Sequence, residues 1–282
     1  MTVSTTHRSR RKYILLAILC GSYTFFMALF TVTDLQINLA LYCPGNLFSE
    51  VFYYLGPLPM LVFGIFSSVS FLLMSSDYSG TLKAWRMIYG VFALLYFSFM
   101  GNASLAYTMP LLLFASIPAC FLIFIFSLRA GRRLLSSDVK PQFTRAVCTM
   151  LIACTAAVMG VDVLKIVFGR LRFAGLSDPL MQFRPWYVIQ SHHINSGFPS
   201  GHASRSALLF CCFLIPSFRP KSIFGRRRLL FLILFIAFTG CSCISRILAG
   251  EHYATDIITG LFITLLVFVL RMRPEPFVDP AR

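Results

Sequence analysis

The feature that most constrains this chain is a succession of apolar segments, most of which approach the length needed to cross a lipid bilayer. A transmembrane helix needs about 20 predominantly apolar residues. Charged residues make up 12% of the 282 residues and hydrophobic residues 57%, which leaves too few charges for the surface of a soluble domain. The sequence therefore predicts an all-α polytopic membrane bundle of about eight spans. The predicted spans are 13–33, 52–74, 86–101, 105–128, 146–167, 203–217, 229–247 and 254–270.

The distribution of positive charge predicts the orientation of these spans. Most of the 25 Lys and Arg residues lie between spans on one side or at the termini, as the positive-inside rule expects of cytoplasmic segments. We therefore expect both termini in the cytoplasm and the loops 34–51, 102–104, 168–202 and 248–253 on the opposite face. The basic N-terminus and compact loops favour a bacterial inner membrane, with that face periplasmic. Nucleic-acid binding is not expected, because the cations do not collect on one soluble surface.

A second group of cations and histidines is concentrated toward the opposite face. Charged side chains at membrane depth are costly, so they indicate a functional site. Several cations and imidazoles near one interface predict an anion site, and arginine suits phosphate geometrically. The residues are Lys165, Arg170, Arg172, Arg184, Arg205, Arg246, His192, His193, His202 and His252.

Two segments within this group have spacings suited to phosphate binding. Lys165 and Arg172 are seven residues apart, so about two helical turns separate them and both can face the same way. In the segment Phe198-Pro199-Ser200-Gly201-His202, Ser200 is a good helix N-cap and Gly201 lets a ligand approach the backbone. The free N–H groups at such a helix start favour an anion, and His202 would lie beside it.

A third segment, Ser245 to Asp256, predicts an activated histidine. His252 and Asp256 have the i, i+4 spacing that places two residues on one helix face. Asp256 can accept the Nδ1–H of His252, which would leave Nε2 free as a nucleophile. The alternative is a purely structural polar pair, which the nearby Arg246 makes less attractive.

Together the three segments resemble the signature of the type-2 phosphatidate phosphatase superfamily, whose members are related to vanadium haloperoxidases. That signature reads K-x6-R-P, then P-S-G-H, then S-R-x5-H-x3-D. One position departs from it, since Phe173 stands where the family has proline. The resemblance covers residues 165–256 and implies a six-helix catalytic core. We therefore divide one integral membrane domain into N-terminal helices at 1–128 and the core at 129–282. The matching residues are Lys165, Arg172, Pro199, Ser200, Gly201, His202, Ser245, Arg246, His252 and Asp256.

The resemblance implies a phosphatase that works through a phosphohistidine intermediate. His252 would attack phosphorus, Asp256 would orient its ring, and His202 would protonate the leaving oxygen and then activate water. Fixed cations would neutralise the phosphoryl oxygens, so no metal or other cofactor is expected. The sequence also contains no acidic cluster suited to Mg²⁺ or Ca²⁺. The implied phosphate-binding residues are Lys165, Arg172, Ser200, Gly201 and Arg246, with secondary contacts expected from Arg170, Arg184 and His193.

The expected substrate is a lipid phosphate, because the site is predicted at the interface where lipid headgroups lie. Relatives act on phosphatidate, phosphatidylglycerophosphate, polyprenyl diphosphate and lipid A. The long, basic and aromatic loop 169–202 favours lipid A or polyprenyl diphosphate. A lipid-to-lipid phosphotransferase and a vanadate-dependent haloperoxidase are alternative enzymes. A transporter or receptor for an anionic lipid is the alternative without catalysis, although binding alone does not need an oriented nucleophile. The oligomeric state stays open.

Overall fold

A computed structural model describes residues 3–106, 111–190, 196–215 and 226–271. Within these ranges all regular structure is helical, which confirms the predicted all-α class. Five helical stretches are long and apolar enough to cross a membrane, and each contains one of the predicted spans. These stretches are Lys12–Leu41, Leu47–Asp77, Lys140–Gly175, Arg228–Leu248 and Ala254–Arg271.

The first helix of the chain is longer than the sequence predicted. The expected span ended at residue 33, but the helix continues for two more turns to Leu41, just before Pro44 and Gly45. The next helix begins after Asn46, whose side chain accepts a hydrogen bond from the backbone N–H of Ser49 at 2.8 Å. The N-terminal helices are α1 (Val3–Leu41), α2 (Leu47–Leu55), α3 (Leu58–Leu73, followed by the 3₁₀ turn Met74–Asp77), α4 (Gly80–Ala106) and α5 (Leu111–Leu135).

The second part of the chain contains more interruptions. Gly169 ends α7 with φ +53°, a backbone conformation that glycine adopts without strain, and turns the chain directly before Arg170. Ser200 is the N-cap of α9, as predicted, because its hydroxyl accepts from the N–H of Ala203 at 3.3 Å. These helices are α6 (Lys140–Thr155), a π-helical turn (Ala156–Gly160), α7 (Val161–Phe168), a 3₁₀ turn (Phe173–Gly175), α8 (Pro179–Gln182), α9 (Gly201–Ser206, continued by the 3₁₀ segment Ala207–Leu214), α10 (Arg228–Leu248) and α11 (Ala254–Arg271).

Three of the eight predicted spans are not among the five candidates. Residues 86–101 and 105–128 fall largely in α4 and α5, and α4 continues through Ala106, past the turn expected at 102–104. Residues 203–217 begin as α9 and its 3₁₀ extension, and those from 216 lie outside the described ranges. The total of eight spans, the six-helix core and the division at residue 128 therefore stay predictions.

Helix α3 occupies the middle of the bundle and packs against α4, α5 and α6. Its buried face joins Met60, Phe63 and Phe66 to Phe97 of α4 and Phe143 of α6. Many large apolar side chains on the outer faces of the helices are exposed, as a lipid environment requires. The bundle is thus apolar both in its interior and on the outer faces of its helices.

Helix α1 packs lengthwise against α11. Near its start, Lys12 donates to the carbonyl of Leu270 at 2.6 Å. Further along, the ring of Tyr23 stacks on Phe262 at 4.1 Å between centroids, and its hydroxyl lies 3.3 Å from the hydroxyl of Thr259. Elsewhere in the bundle, α2 packs against α10, and α9 contacts both α10 and α11. The N-terminal helices therefore reach the region where the sequence motifs lie.

Candidate active site

The three motif segments meet at one end of the bundle, and main-chain hydrogen bonds join them. The N–H of Gly197 donates to the carbonyl of Arg170 at 2.7 Å, linking the first segment to the second. The N–H of Ser200 donates to the carbonyl of Asp256 at 2.8 Å, linking the second to the third. Main-chain hydrogen bonds thus connect the first segment to the second and the second to the third.

His252 is buried, with 2% of its surface exposed, and its tautomer is determined by a main-chain carbonyl. Its Nδ1 lies 2.7 Å from the carbonyl oxygen of Gly197. Because a carbonyl only accepts, the proton belongs on Nδ1, and Nε2 keeps its lone pair. The predicted hydrogen bond to Asp256 is not present, since Nδ1 lies 3.7 Å from Oδ2 of that residue. The sequence predicted the proton on Nδ1 correctly but indicated the wrong acceptor.

Asp256 is fully buried and is bound by other groups. Its Oδ1 accepts from Arg170 at 2.6 Å, and its Oδ2 accepts from the N–H of Tyr253 at 2.8 Å. Among the described residues, its carboxylate is the acidic group that lies within 4.0 Å of a ring nitrogen of His252. Asp256 therefore stabilises the turn that carries His252 and lies beside its ring without a direct hydrogen bond to it.

His202, in the first turn of α9, is oriented by helix α2. Its Nε2 lies 3.1 Å from the main-chain carbonyl of Tyr53, and the two rings are 5.4 Å apart with a tilt of 39°. The carbonyl requires the proton on Nε2, so Nδ1 is the nitrogen left to exchange a proton with a substrate. A residue of the N-terminal helices thus orients the ring of His202, a predicted catalytic residue.

Three of the predicted phosphate-binding cations surround these histidines. Lys165 donates to the carbonyl of Ser196 at 2.9 Å, which leaves two of its three N–H donors for a ligand. Arg172 pairs with Glu251. Arg246 is buried and donates to the hydroxyl of Ser245 at 3.1 Å and to the carbonyl of Ser49 on α2. The cations are anchored by one or two bonds each, as a preorganised anion site requires.

These surroundings keep both histidines neutral. Burial lowers the pKa of His252 well below its ordinary value of 6.5, and Lys165, Arg172 and Arg246 lower it further. Burial likewise lowers the pKa of His202, helped by Arg246 and His252. A neutral imidazole is the form of histidine that can act as a nucleophile.

Arg170 has a different setting from the headgroup contact that the sequence suggested. Its side chain is completely buried, and its guanidinium binds Asp34, Thr255 and Asp256. Its Cζ also lies 4.0 Å from the centre of the Tyr253 ring. These partners leave it no access to a substrate, so Arg170 is a structural cation of the site.

The other two predicted secondary contacts are less informative. Arg184 is exposed and donates to the carbonyls of Met181 and Phe183 in its own loop, at 3.0 and 2.8 Å. His193 lies outside the described residues. Their suggested roles in headgroup binding stay predictions.

No role was predicted from the sequence for Arg205, whose Nε is buried without an acceptor, as are those of Arg170 and Arg172. Unlike those two residues, Arg205 has no acidic partner in the ion pairs of the described residues. It follows His202 by three residues on α9, and its guanidinium carbon lies 3.7 Å from the point where a side chain on Gly201 would begin. It donates no hydrogen bond to any described residue, and its Nε is buried without an acceptor. Such a group is costly in an apolar bundle unless a ligand supplies the acceptor.

Four further site residues escaped the sequence analysis because their role depends on partners far away in the chain. Gly197 carries the carbonyl that orients His252, and Tyr53 carries the one that orients His202. On α1, Asp34 binds Arg170, and Asn38 donates to the carbonyl of His252 at 3.3 Å. One signal was available: Asp34 and Asn38 are polar residues at i, i+4, at the end of a long, predominantly apolar segment.

Phe173, which replaces the family proline, packs against the end of α1. Its ring meets Tyr42 edge-on at 5.1 Å and Tyr253 edge-on at 6.4 Å. The adjacent turn is held by the N–H of Ala174, which donates to the carbonyl of Gly250 at 2.9 Å. The aromatic contacts thus hold the first motif against the third without the ring of a proline.

The described residues contain no group of three or more His, Cys, Asp or Glu side chains placed to hold a metal ion. The positive groups of the site are instead the side chains Lys165, Arg172, Arg205 and Arg246.

Comparison with known proteins agrees with the motifs. Residues 146–276 match the model of the PAP2 superfamily, which confirms the resemblance stated from the three segments. The match includes every motif residue from Lys165 to Asp256. It does not include α1 to α5, which are therefore described only by the structure. No curated protein and no solved structure matches the chain significantly.

Proposed function

We propose that this chain, which carries a PAP2-superfamily segment at residues 146–276, is a membrane phosphatase that removes phosphate from a lipid headgroup without a metal ion. The observation that carries the proposal is the free Nε2 of His252. That nitrogen belongs to a neutral, buried ring oriented by Gly197, with Lys165, Arg172 and Arg246 close enough to act on its charge. Nucleophile and phosphate-binding cations thus occupy one site.

The first step would be attack of His252 on phosphorus. A bond forms between Nε2 and phosphorus while the phosphorus–oxygen bond to the leaving group breaks, and the electron pair leaves with that oxygen. His202 would deliver the proton that the oxygen needs. Because its Nε2–H is bound to Tyr53, the transferred proton must come from Nδ1. The negative charge of the bound phosphate raises the pKa of His202, so Nδ1 takes up a proton from solvent when the substrate binds and releases it when phosphate leaves.

The second step would return the enzyme to its starting state. His202, now neutral at Nδ1, takes a proton from water, and the resulting oxygen attacks phosphorus. The nitrogen–phosphorus bond breaks, and its electron pair returns to Nε2 of His252 as inorganic phosphate leaves. Throughout, Asp256 lies 3.7 Å from Nδ1 of His252, where its charge stabilises the cationic phosphohistidine.

The unused donors of Arg205 favour a substrate with a second anionic group near the scissile bond. Arg205 lies one helical turn from His202, on the side where the leaving oxygen would be protonated. A lipid diphosphate would place its remaining phosphate there, and lipid A carries a second phosphate on its headgroup. We therefore favour these two substrates over phosphatidate and phosphatidylglycerophosphate, with the site on the periplasmic face of a bacterial inner membrane.

The test is phosphate release by the detergent-purified protein, in EDTA, from phosphatidate, phosphatidylglycerophosphate, polyprenyl diphosphate and lipid A. We expect release from at least one of them by the wild type and by the control His7→Ala, whose histidine precedes the first predicted span. We expect no release by His252→Ala. Equal release by His252→Ala would overturn the nucleophile assignment, and release that requires added metal would overturn the mechanism.

The same assay separates the alternatives if lipid products are also analysed. Transfer of phosphate to a second lipid, with no inorganic phosphate, would identify a phosphotransferase. Binding of an anionic lipid with no product of either kind would identify a transporter or receptor. Either result would replace the proposed hydrolysis.

A further inference from the structure

Two buried polar side chains on α1 lie against the catalytic segment, although α1 is outside the family match. Asp34 has 1% of its surface exposed, and Asn38, one turn later, is fully buried. Asp34 is the one acidic residue in the sequence of α1. A carboxylate inside an apolar bundle requires strong partners, and the partners of Asp34 belong to the first and third motif segments.

Asp34 forms one end of a buried chain of three charges. Its Oδ2 accepts from Nη2 of Arg170 at 3.0 Å, and Nη1 of Arg170 donates to Oδ1 of Asp256 at 2.6 Å. Thr255 reinforces the chain, because its N–H donates to Oδ1 of Asp34 at 3.0 Å and its hydroxyl also binds that carboxylate. The arginine is thus shared between a carboxylate of α1 and the predicted catalytic carboxylate.

This chain of charges reaches the nucleophile through the backbone. The carbonyl of Arg170 accepts from the N–H of Gly197 at 2.7 Å, and the carbonyl of Gly197 accepts from Nδ1 of His252 at 2.7 Å. Asn38 binds the main chain of His252, because its side-chain amide donates to the carbonyl of His252 at 3.3 Å. Helix α1 therefore supports both the ring and the main chain of His252.

The balance of charge gives Asp34 an electrostatic consequence as well. With Asp34 present, the two carboxylates exceed the single guanidinium by one negative charge. Without that charge, Arg170 would cancel Asp256, and His252 would lose the net anion that offsets its positive charge in the intermediate. The charged or titratable groups that act on His252 are Lys165, Arg172, His202, Arg246 and Asp256.

We propose that Asp34 is a positioning residue for the reaction, so that the N-terminal helix α1 completes a catalytic centre whose motifs lie elsewhere in the chain. This inference rests on the proposed function. Asp34 touches no substrate; it acts through Arg170, Gly197 and Asp256 on the orientation and charge of His252.

The test is Asp34→Asn, which keeps the shape of the side chain and removes its charge. We expect kcat to fall about tenfold to a hundredfold, by analogy with the loss of an outer hydrogen-bond partner of a metal-binding histidine, with little change in KM. We also expect the acid limb of kcat/KM to move to lower pH, because loss of a negative charge lowers the pKa of His252. The matched control is Asp77→Asn, which makes the same chemical change in the half-exposed ion pair with Lys140. It should leave both readouts unchanged.

Two further measurements keep the outcome decisive. Asn38→Ala changes no charge, so it should lower kcat without moving the acid limb. The pKa of His252, followed by nitrogen-15 NMR of histidine-labelled protein, should fall in Asp34→Asn even if no substrate is turned over, so it tests the charge effect independently of the proposed function. An unshifted His252 pKa, or full activity of folded Asp34→Asn or Asn38→Ala, would contradict the positioning role.

Discussion

Replacing Gly260 by alanine tests how closely α11 approaches the second motif. A Cβ at this position would lie 2.2 Å from the carbonyl oxygen of Ser200 and 3.3 Å from Cβ of Ala203. Ordinary carbon–oxygen contacts are no shorter than about 3.3 Å, so the Ser200 carbonyl must move by about 1 Å. That carbonyl directly precedes Gly201 and His202, and a shift of about 1 Å at a catalytic group commonly costs about a hundredfold in rate.

The control is Gly240→Ala on α10, where a Cβ would meet no atom within 4 Å. Alanine favours a helix by about 1 kcal/mol over glycine, so helix propensity alone predicts that neither variant is harmed. We therefore expect Gly240→Ala to keep wild-type activity and thermal stability, and Gly260→Ala to lose about a hundredfold in kcat. The assay is steady-state phosphate release with thermal unfolding of both proteins. Wild-type activity and stability of Gly260→Ala would refute the inferred contact between α11 and the motif.

Three other outcomes follow from the site. Because the pKa of His252 is lowered and kcat/KM reports the free enzyme, His252 should stay neutral below pH 6.5, and a pH profile of kcat/KM should show this. Arg172→Gln, which removes a cation, should move the acid limb of that profile to higher pH. EDTA should not change the rate, whereas vanadate, which mimics five-coordinate phosphorus, should inhibit competitively in the same assay. Arg205→Gln should lower kcat/KM for a lipid diphosphate more than for the monophosphate with the same lipid tail, and an equal loss for both would argue against a second anion subsite.

The spacing of short motifs allowed the chemical centre to be predicted. Lys165, Arg172 and Arg246 surround His252, and Ser200 caps the helix that carries His202. Within each segment the expectation depended on residues a few helical turns apart. That the three segments meet was expected from their common membrane face and from the family resemblance. The all-α class followed from apolar segments long enough to cross a bilayer, five of which are present as spanning candidates.

Predictions that depended on distant parts of the chain were less successful. Asp34 was expected in the loop 34–51; in the structure it is helical, and it pairs with Arg170, 136 residues away. Asp256 was expected to bind His252, since i, i+4 was the shortest available path, but the carbonyl of Gly197 is closer. Neither partner can be identified from local spacing.

The most direct test of the central claim is to trap the covalent intermediate. The detergent-purified protein would be mixed for a single turnover with a lipid carrying a radiolabelled terminal phosphate, quenched in alkali, which preserves phosphohistidine, and digested for peptide mapping. The account predicts label on His252 in the wild type and none in His252→Ala. Label on another residue, or phosphate release by His252→Ala at the wild-type rate, would contradict it.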